Sequence, residues 1–272
     1  MTIIYFFYFF LLSPISKSVF LISLDLPLEF TMFFLYSGIR EYFRKGLIMS
    51  EINYSYIVEY IRALHEMPHS SLLANIEHQV AIEAETWPII KPEVADFIKV
   101  QLSLVQPSTI LEIGTAVGYS SIFMSSYLKE GGKITTLERF EYMLGQARKN
   151  IKAAGLEDTI EIIEGDAAIT LKQLPSESFD VIFMDCAKGQ YINFLPECIR
   201  LLKPNGLLIT DNVLHKGTVA RSRYLIDRRQ RTTHSRLREF LWTITHSDKL
   251  RSSVIPIGDG VALSYKIGGT EK

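Results

Sequence analysis

Asp185 closes the apolar run Phe183-Met184, and Asp211-Asn212 closes Ile209-Thr210. If those runs are neighbouring parallel strands, two carboxylates and a carboxamide meet at one spot. Such an all-oxygen set, with room for water and substrate oxygens, is what a hard cation such as Mg2+ prefers. A lone Asp after a strand is more often a helix cap, so the metal reading rests on the three residues together.

A second cluster lies earlier. The run Thr109-Ile110-Leu111-Glu112-Ile113 is followed by Gly114-Thr115-Ala116-Val117-Gly118 and then by helix-like periodicity from Tyr119-Ser120-Ser121. Gly114 permits a tight turn, Gly118 permits close approach of backbone, and the N-terminus of the following helix offers free N–H groups. The spacing is Gly-x-x-x-Gly rather than Gly-x-Gly-x-x-Gly, which favours a cofactor without a diphosphate. Glu138 ends a second strand, where a carboxylate can accept both hydroxyls of a ribose. Asp166-Ala167 follows a third, a position suited to an adenine amine and ring edge; for Asp166 a helix N-cap is an equal alternative.

These residues need a sheet to hold them in register. After Gln106-Pro107-Ser108 the pattern alternates, with strands predicted at 109–113, 133–137, 160–163, 180–184 and 207–210 and helices at 120–128, 141–154, 167–174 and 190–201. That alternation predicts an α/β fold, a parallel sheet with helices on both faces and ligands at the carboxyl ends of the strands. Segments 251–257 and 261–266 flank Gly258-Asp259-Gly260 and predict a hairpin that adds an antiparallel strand at one sheet edge. Three helices, at about 51–67, 71–85 and 92–104, form a preface, the last with Pro92 in its opening turn. His65, His69 and His78 fall in this region without metal-site spacing.

The chain has 272 residues, enough for a full core, and a formal charge of −1, so no global field calls for a nucleic acid or a membrane. Any charged partner must meet a local patch. Cys186 and Cys198 carry no paired motif and read as small buried hydrophobes in a reducing, cytoplasmic setting.

The first 48 residues differ from the rest. Their apolar runs are interrupted by Pro14, Lys17, Asp25, Pro27 and Glu29, so none reaches the roughly 18 to 20 residues of a spanning helix. No basic residue precedes the first run, which argues against a secretory signal. An apolar leader or anchor is one reading. The other is a start at Met49: the codons of Lys45-Gly46 are compatible with a ribosome-binding site about two codons upstream, which would make 1–48 translated upstream DNA and 49–272 the domain.

The run 111–121, Glu138, Gly165-Asp166-Ala167, Asp185-Cys186-Ala187-Lys188-Gly189-Gln190-Tyr191 and Asp211-Asn212-Val213-Leu214 together resemble the cation-dependent, S-adenosylmethionine-using O-methyltransferases of the catechol and caffeoyl-coenzyme A type. The resemblance covers residues 51 to 267. It implies a Rossmann-like class I methyltransferase, with a seven-stranded, mostly parallel sheet and usually a homodimer. It implies Asp185, Asp211 and Asn212 as metal ligands. It also implies Ile90, Glu112, Gly114, Thr115, Ser120, Glu138, Asp166, Ala167 and Asp185 around S-adenosyl-L-methionine. Lys188 stands where the family places a lysine that takes or stabilises the acceptor's proton, with Asp185 beside it; a solvated loop cation is the alternative. Plant members typically have Asp where this chain has Ala187, and that contact is not carried over.

Substrate is addressed by the segment after Asn212. It holds Lys216, Arg221, Arg223, Arg228, Arg229, Arg231, Arg236 and Arg238 against Asp227 and Glu239. Arginine suits bidentate phosphate recognition, so the patch reads as a polyanion contact; a solvated helix face or a dimer contact is the plainer reading. This loop and Ile255-Pro256-Ile257-Gly258-Asp259-Gly260-Val261 most resemble the bacterial branch that methylates 5-hydroxyuridine in transfer RNA, which implies an anticodon loop as partner and Arg221, Arg223, Arg228, Arg229 and Arg231 as its contacts. Two rivals remain: a methyltransferase of small catechols or hydroxycinnamoyl substrates, and a membrane-tethered protein that senses S-adenosylmethionine. No stable membrane partner is expected.

Overall fold

The computed structural model describes residues 54–64, 71–83 and 88–268. The readings made for residues 1–48 and for His65 and His69 lie outside the described residues. Among the described residues no helix is long and apolar enough to cross a membrane.

Among the described residues three helices precede the sheet: α1 (Ser55–Leu64), α2 (Ser71–Ile82) and α3 (Pro92–Val105). Pro92 opens α3, where its missing N–H costs nothing, and Gln106 closes it in the left-handed region at φ 48°. On α3, Val94, Ala95, Ile98 and Leu102 recur at helical spacing and are buried against the sheet. The apolar face of α1 instead leaves Tyr56, Tyr60 and Leu64 exposed. What fastens α1 is a two-pronged ion pair from Arg62 to the buried Glu93 of α3, at 2.8 and 3.1 Å.

The alternating part follows: β1 (Thr109–Ile113), α4 (Tyr119–Ser125), β2 (Lys133–Glu138), α5 (Glu141–Ala153), β3 (Ile160–Glu164), α6 (Ala167–Gln173), β4 (Phe179–Met184), α7 (Tyr191–Leu201), β5 (Leu202–Thr210), α8 (Arg231–Thr245), β6 (Leu250–Ile255) and β7 (Val261–Lys266). The seven strands run in the order β3-β2-β1-β4-β5-β7-β6, with β1 to β5 parallel and β7 antiparallel to both of its neighbours. The antiparallel strand is therefore one in from the edge, and β6 forms the edge itself.

Strand alternation splits the core in two. Ile110, Val181, Phe183, Leu207 and Ile209 face α2 to α5, while Leu111, Ile113, Ile182, Met184 and Leu208 face α6 to α8. Two elements differ from the sequence reading. β5 starts at Leu202 rather than 207, because Pro204-Asn205-Gly206 bulges without breaking the pairing, and the register with β4 shifts there. Residues 231–245, whose first part was read above as arginine-rich with a solvated helix face as one alternative, form α8: His234, Leu237, Phe240 and Ile244 recur at helical spacing and are buried.

At the amino ends of the strands Asp180 ties four groups together. Its carboxylate accepts from the Ser108 and Thr109 N–H groups at 2.9 Å, from the Thr109 hydroxyl at 3.1 Å and from Lys203 Nζ at 2.8 Å. Burial alone would raise this carboxyl, but Lys203 and the N–H groups outweigh it and hold it below its ordinary value. Asp180→Ala should cost about 2 kcal/mol, discounted for the half-exposed site, or roughly 4–8 °C of thermal midpoint. Because Asp180 lies at the opposite end of β4 from Asp185, calorimetry should show that loss with ligand affinity unchanged; a loss of affinity without a loss of stability would contradict this assignment.

Candidate active site

All the sequence-derived acids lie at the carboxyl ends of β1 to β5, around the point where strand order reverses between β1 and β4. Backbone bonds carry the register past the strand ends. Gly114 N donates to Leu137 O at 3.0 Å, Asp185 N to Ile113 O at 3.1 Å and Asp211 N to Met184 O at 3.1 Å. Met184 pairs with Thr210, so Asp185 and Asp211 follow side by side.

The cleft over these ends is lined by Gly114, Leu137, Glu138, Phe140, Asp166, Ala167, Asp185 and Ala187, among others. Gly114 has φ 107°, and a Cβ there would stand 2.2 Å from the Asp185 carbonyl oxygen. No other residue fits between the β1 and β4 loops. Glu138 is 5% exposed and already organises the rim: one oxygen accepts from Ala116 N at 3.0 Å, the other from Arg139 N at 2.8 Å and Phe140 N at 3.0 Å. Asp166 caps α6 through Ala168 N at 2.9 Å, and Arg139 approaches it at 3.5 Å. Its capping alternative is thus realised, at a position that also lines the cleft.

Four of the residues assigned to the cofactor are not among those lining this cleft. Ile90 is packed in the core with α2 and α3. Glu112 is fully buried under the first turn of α4, where its carboxylate accepts from the Ser120 and Ser121 hydroxyls and, at 2.6 Å, from Thr136. Thr136 in turn accepts from Thr115, at 2.6 Å. Glu112, Thr115 and Ser120 therefore form a network beneath the glycine turn, not part of the cleft lining. Burial pushes the Glu112 carboxyl up to about 7; the three hydroxyls oppose that shift and the nearby Asp185 adds to it.

Asp211 is 2% exposed, and its carboxyl is pushed up by burial and then by Asp185. Asp185 is raised by burial as well, with Lys188 opposing. Asn212 sits at φ 59°, a conformation that Asn tolerates better than most residues, and its amide reaches Asp185 at 3.5 Å. Among the described residues no three His, Cys, Asp or Glu side chains gather as a metal site; here the third donor is an amide. A buried Asp211 and a half-buried Asp185 at the edge of the cleft, with an amide beside them, fit a divalent cation, since a positive charge would offset the burial that raises both carboxyls and the repulsion from Asp185 that raises Asp211 further.

Several supporting residues were not singled out from sequence. The fully buried Tyr191 donates to the Asp211 carbonyl at 3.0 Å. His215, Lys216 and Gly217 join Asn212 in the left-handed region, at φ 46°, 54° and 72°. The Asp259 carboxylate accepts from Lys216 N, while Gly260 O and Asp259 O accept from Val213 N at 2.9 Å and Leu214 N at 3.0 Å. A Cβ on Gly260 would stand 2.4 Å from Leu214 Cγ, so this turn and the loop after β5 fit only as a pair. The signal was present in Gly258-Asp259-Gly260, read above as a hairpin turn and as part of a resemblance but not as a support for the loop after Asn212.

The arginines divide. Arg231 Nε donates to Ile226 O at 3.1 Å, Arg236 to Gly189 O at 3.1 Å and Arg238 to Val219 O at 3.0 Å. These α8 side chains hold the loop that precedes them and the turn of Lys188–Gln190. Arg221 is half-buried, whereas Arg223, Arg228 and Arg229 are exposed.

A model of the O-methyltransferase family matches residues 65–267. The chain is 37% identical over 133 residues to a catechol O-methyltransferase of Niastella koreensis, an alignment that spans 48% of this chain and 60% of that protein. A Staphylococcus aureus crystal structure, described as a candidate caffeoyl-CoA O-methyltransferase, is 32% identical with a TM-score of 0.69, over 76% of this chain and 98% of that one. An O-methyltransferase from Bacillus cereus in complex with SAH is 25% identical with a TM-score of 0.67, over 77% and 97%.

The Glu112 network makes a pH signature. A carboxyl raised from its usual 4.5 to about 7 keeps its proton in the folded state while the unfolded chain loses it, so stability is highest below 4.5 and falls as pH rises to about 7. Relative to Glu112→Gln, the wild type should lose about 3 kcal/mol across that window. Urea unfolding of both proteins at several pH values checks this, and parallel pH profiles would refute it.

Proposed function

The chain belongs to the O-methyltransferase family, and on that premise we propose that it transfers a methyl group from S-adenosyl-L-methionine to the 5-hydroxyl of 5-hydroxyuridine in transfer RNA, beside a divalent cation such as Mg2+. The observation that carries the reaction class is the pairing of Asp185 with Asp211 and Asn212 next to a cleft that can take a nucleoside. The SAH-bound Bacillus cereus relative supports the donor.

Methyl transfer from a sulfonium is an in-line displacement, so the protein's work is to align an oxygen and make it anionic. Glu138 spends both lone pairs of one oxygen and one of the other on the rim, and the oxygen that accepts from Ala116 N keeps a lone pair for a ligand hydroxyl. Leu137, Phe140 and Ala167 give the cleft an apolar wall against which a purine can lie. Asp185, Asp211 and Asn212 would hold the cation, whose chemistry when bound is to lower the pKa of a hydroxyl it polarises. Lys188, one turn after Asp185, lies close enough to both carboxylates to bias their protonation, and its ammonium stabilises a deprotonated acceptor at the same place.

Support for the RNA acceptor comes from Arg223, Arg228 and Arg229, exposed on the segment that follows Asn212. The 5-hydroxyl and 4-carbonyl of that base are vicinal oxygens, as in a catechol, and an anticodon loop can present a splayed base. A second reading, a small catechol-type acceptor, draws on the likeness to the Niastella koreensis enzyme.

Asp211→Asn should lower turnover roughly 10²–10³-fold while S-adenosylmethionine affinity stays within about threefold. Calorimetric titration beside steady-state kinetics checks this split, and a parallel loss of cofactor affinity would remove Asp211 from the acceptor side. For the acceptor itself, transfer RNA from a deletion strain should lack 5-methoxyuridine and accumulate its hydroxy precursor in nucleoside mass spectrometry. Normal 5-methoxyuridine without the precursor, alongside activity on free catechols, would favour the second reading.

A further inference from the structure

Between residues 221 and 231 the chain carries five arginines against a single aspartate, and at the middle of that stretch stand two side chains that water should not favour. Tyr224 is 86% exposed and Leu225 76%. Scattered exposed apolar residues need no explanation, but an adjacent pair at the tip of a pinned turn does. The turn is short and ordered: Leu225 N donates to Ser222 O at 2.9 Å and Ile226 N to Arg223 O at 3.2 Å. Ile226 is buried beneath it. From α8, Arg231 grips the Ile226 carbonyl, and the buried His234 donates from Nε2 to the Arg221 carbonyl at 3.1 Å. Both feet of the turn are thus fastened to α8, while Arg236 of the same helix reaches the Gly189 carbonyl next to Lys188.

We propose that Tyr224, backed by Leu225 and flanked by Arg223, Arg228 and Arg229, is a stacking platform for an unpaired base of the RNA substrate next to the base that enters the active site. This rests on the RNA reading above and adds a residue to it. A planar ring held in water with its face free offers every base the same π surface, and arginines on either side meet the phosphates that such a base carries. Because α8 holds the turn in place before anything binds, little entropy is lost when the ring is covered. A purely apolar partner would leave the three exposed guanidinium groups without counter-charges, and a small catechol would use neither the ring nor the arginines. A single-stranded loop matches both features at once.

The test compares wild type with Tyr224→Ala, Tyr224→Leu and Tyr224→Phe on two acceptors: a short RNA hairpin carrying 5-hydroxyuridine in its loop, and the free nucleoside 5-hydroxyuridine. Tyr224→Ala and Tyr224→Leu should raise KM for the hairpin about tenfold with kcat largely kept, and Tyr224→Phe should restore it, since the ring and not its hydroxyl stacks. Kinetics with the free nucleoside should be unchanged in all four proteins, which separates stacking from damage to the active site. A hairpin KM that is equal in wild type and Tyr224→Ala overturns the platform and leaves the RNA reading standing. A wild-type protein that methylates catechols but not the hairpin overturns both. Binding of wild type to phosphatidylserine vesicles, lost in Tyr224→Ala with the hairpin KM unmoved, would overturn the platform by assigning the tip to a lipid surface.

Discussion

Two carboxylates held side by side, Asp211 buried and Asp185 at the edge of the cleft, are the constraint around which this molecule is arranged. The register of β4 with β5 pairs Met184 with Thr210 and leaves Asp185 and Asp211 no choice but to be neighbours. Removing two like charges from water together is costly, and both carboxyls are pushed up as a result. The surroundings can be understood as responses to that cost. Lys188 opposes the shift on both acids, Asn212 N donates to Asp211 at 2.6 Å, and Tyr191 fixes the Asp211 carbonyl. The left-handed run through Asn212, His215, Lys216 and Gly217 is the backbone consequence. It persists because Asp259 and Gly260 hold it from the neighbouring turn before β7, at the same end of the sheet.

The other carboxylates divide into those that build the floor and those that face the ligand space. Glu112 is the floor: three hydroxyls bond to it, it ties β1, β2 and α4 into one unit, and it is fully buried. Glu138 lies between the two roles, because three backbone N–H groups organise the rim through it while it still lines the cleft. Asp166 caps α6 from the opposite wall. A glycine is required where these loops converge, since any side chain on Gly114 would collide with the Asp185 carbonyl.

Much of this was legible in the sequence because it depends on order along the chain. Strand ends, the position of acids after them and the α/β alternation follow from local patterns, and sheet order then brings Asp185, Asp211 and Asn212 together. What was not legible depends on the direction in which a side chain leaves its strand. Glu112 shares a face with Ile110, which packs toward α4, whereas Leu111 and Ile113 face the opposite core. Counting alternation back from the glycine turn would have put Glu112 under the helix instead of over the ligand. The helix α8 was hidden for another reason. Its arginines are so dense that they obscured the buried spacing of His234, Leu237, Phe240 and Ile244. Ile90 stands in the irregular stretch just before α3 and has no periodic context, so its place in the core could not be anticipated.

That hidden helix changes how the basic segment should be understood. A count of arginines treats every guanidinium as available, yet three on α8 are engaged by main-chain carbonyls at residues 189, 219 and 226. A guanidinium bonded to a carbonyl keeps its charge and its remaining N–H groups, so it still contributes to the local field, but its position is set by the fold. Orientation and attraction are thereby separated. Arg231, Arg236 and Arg238 fix the loop against the turn that carries Lys188, and Arg223, Arg228 and Arg229 remain exposed to meet an anion. An active-site loop held in this way needs no ligand to become ordered, so whatever affinity its exposed residues have is not spent on folding it.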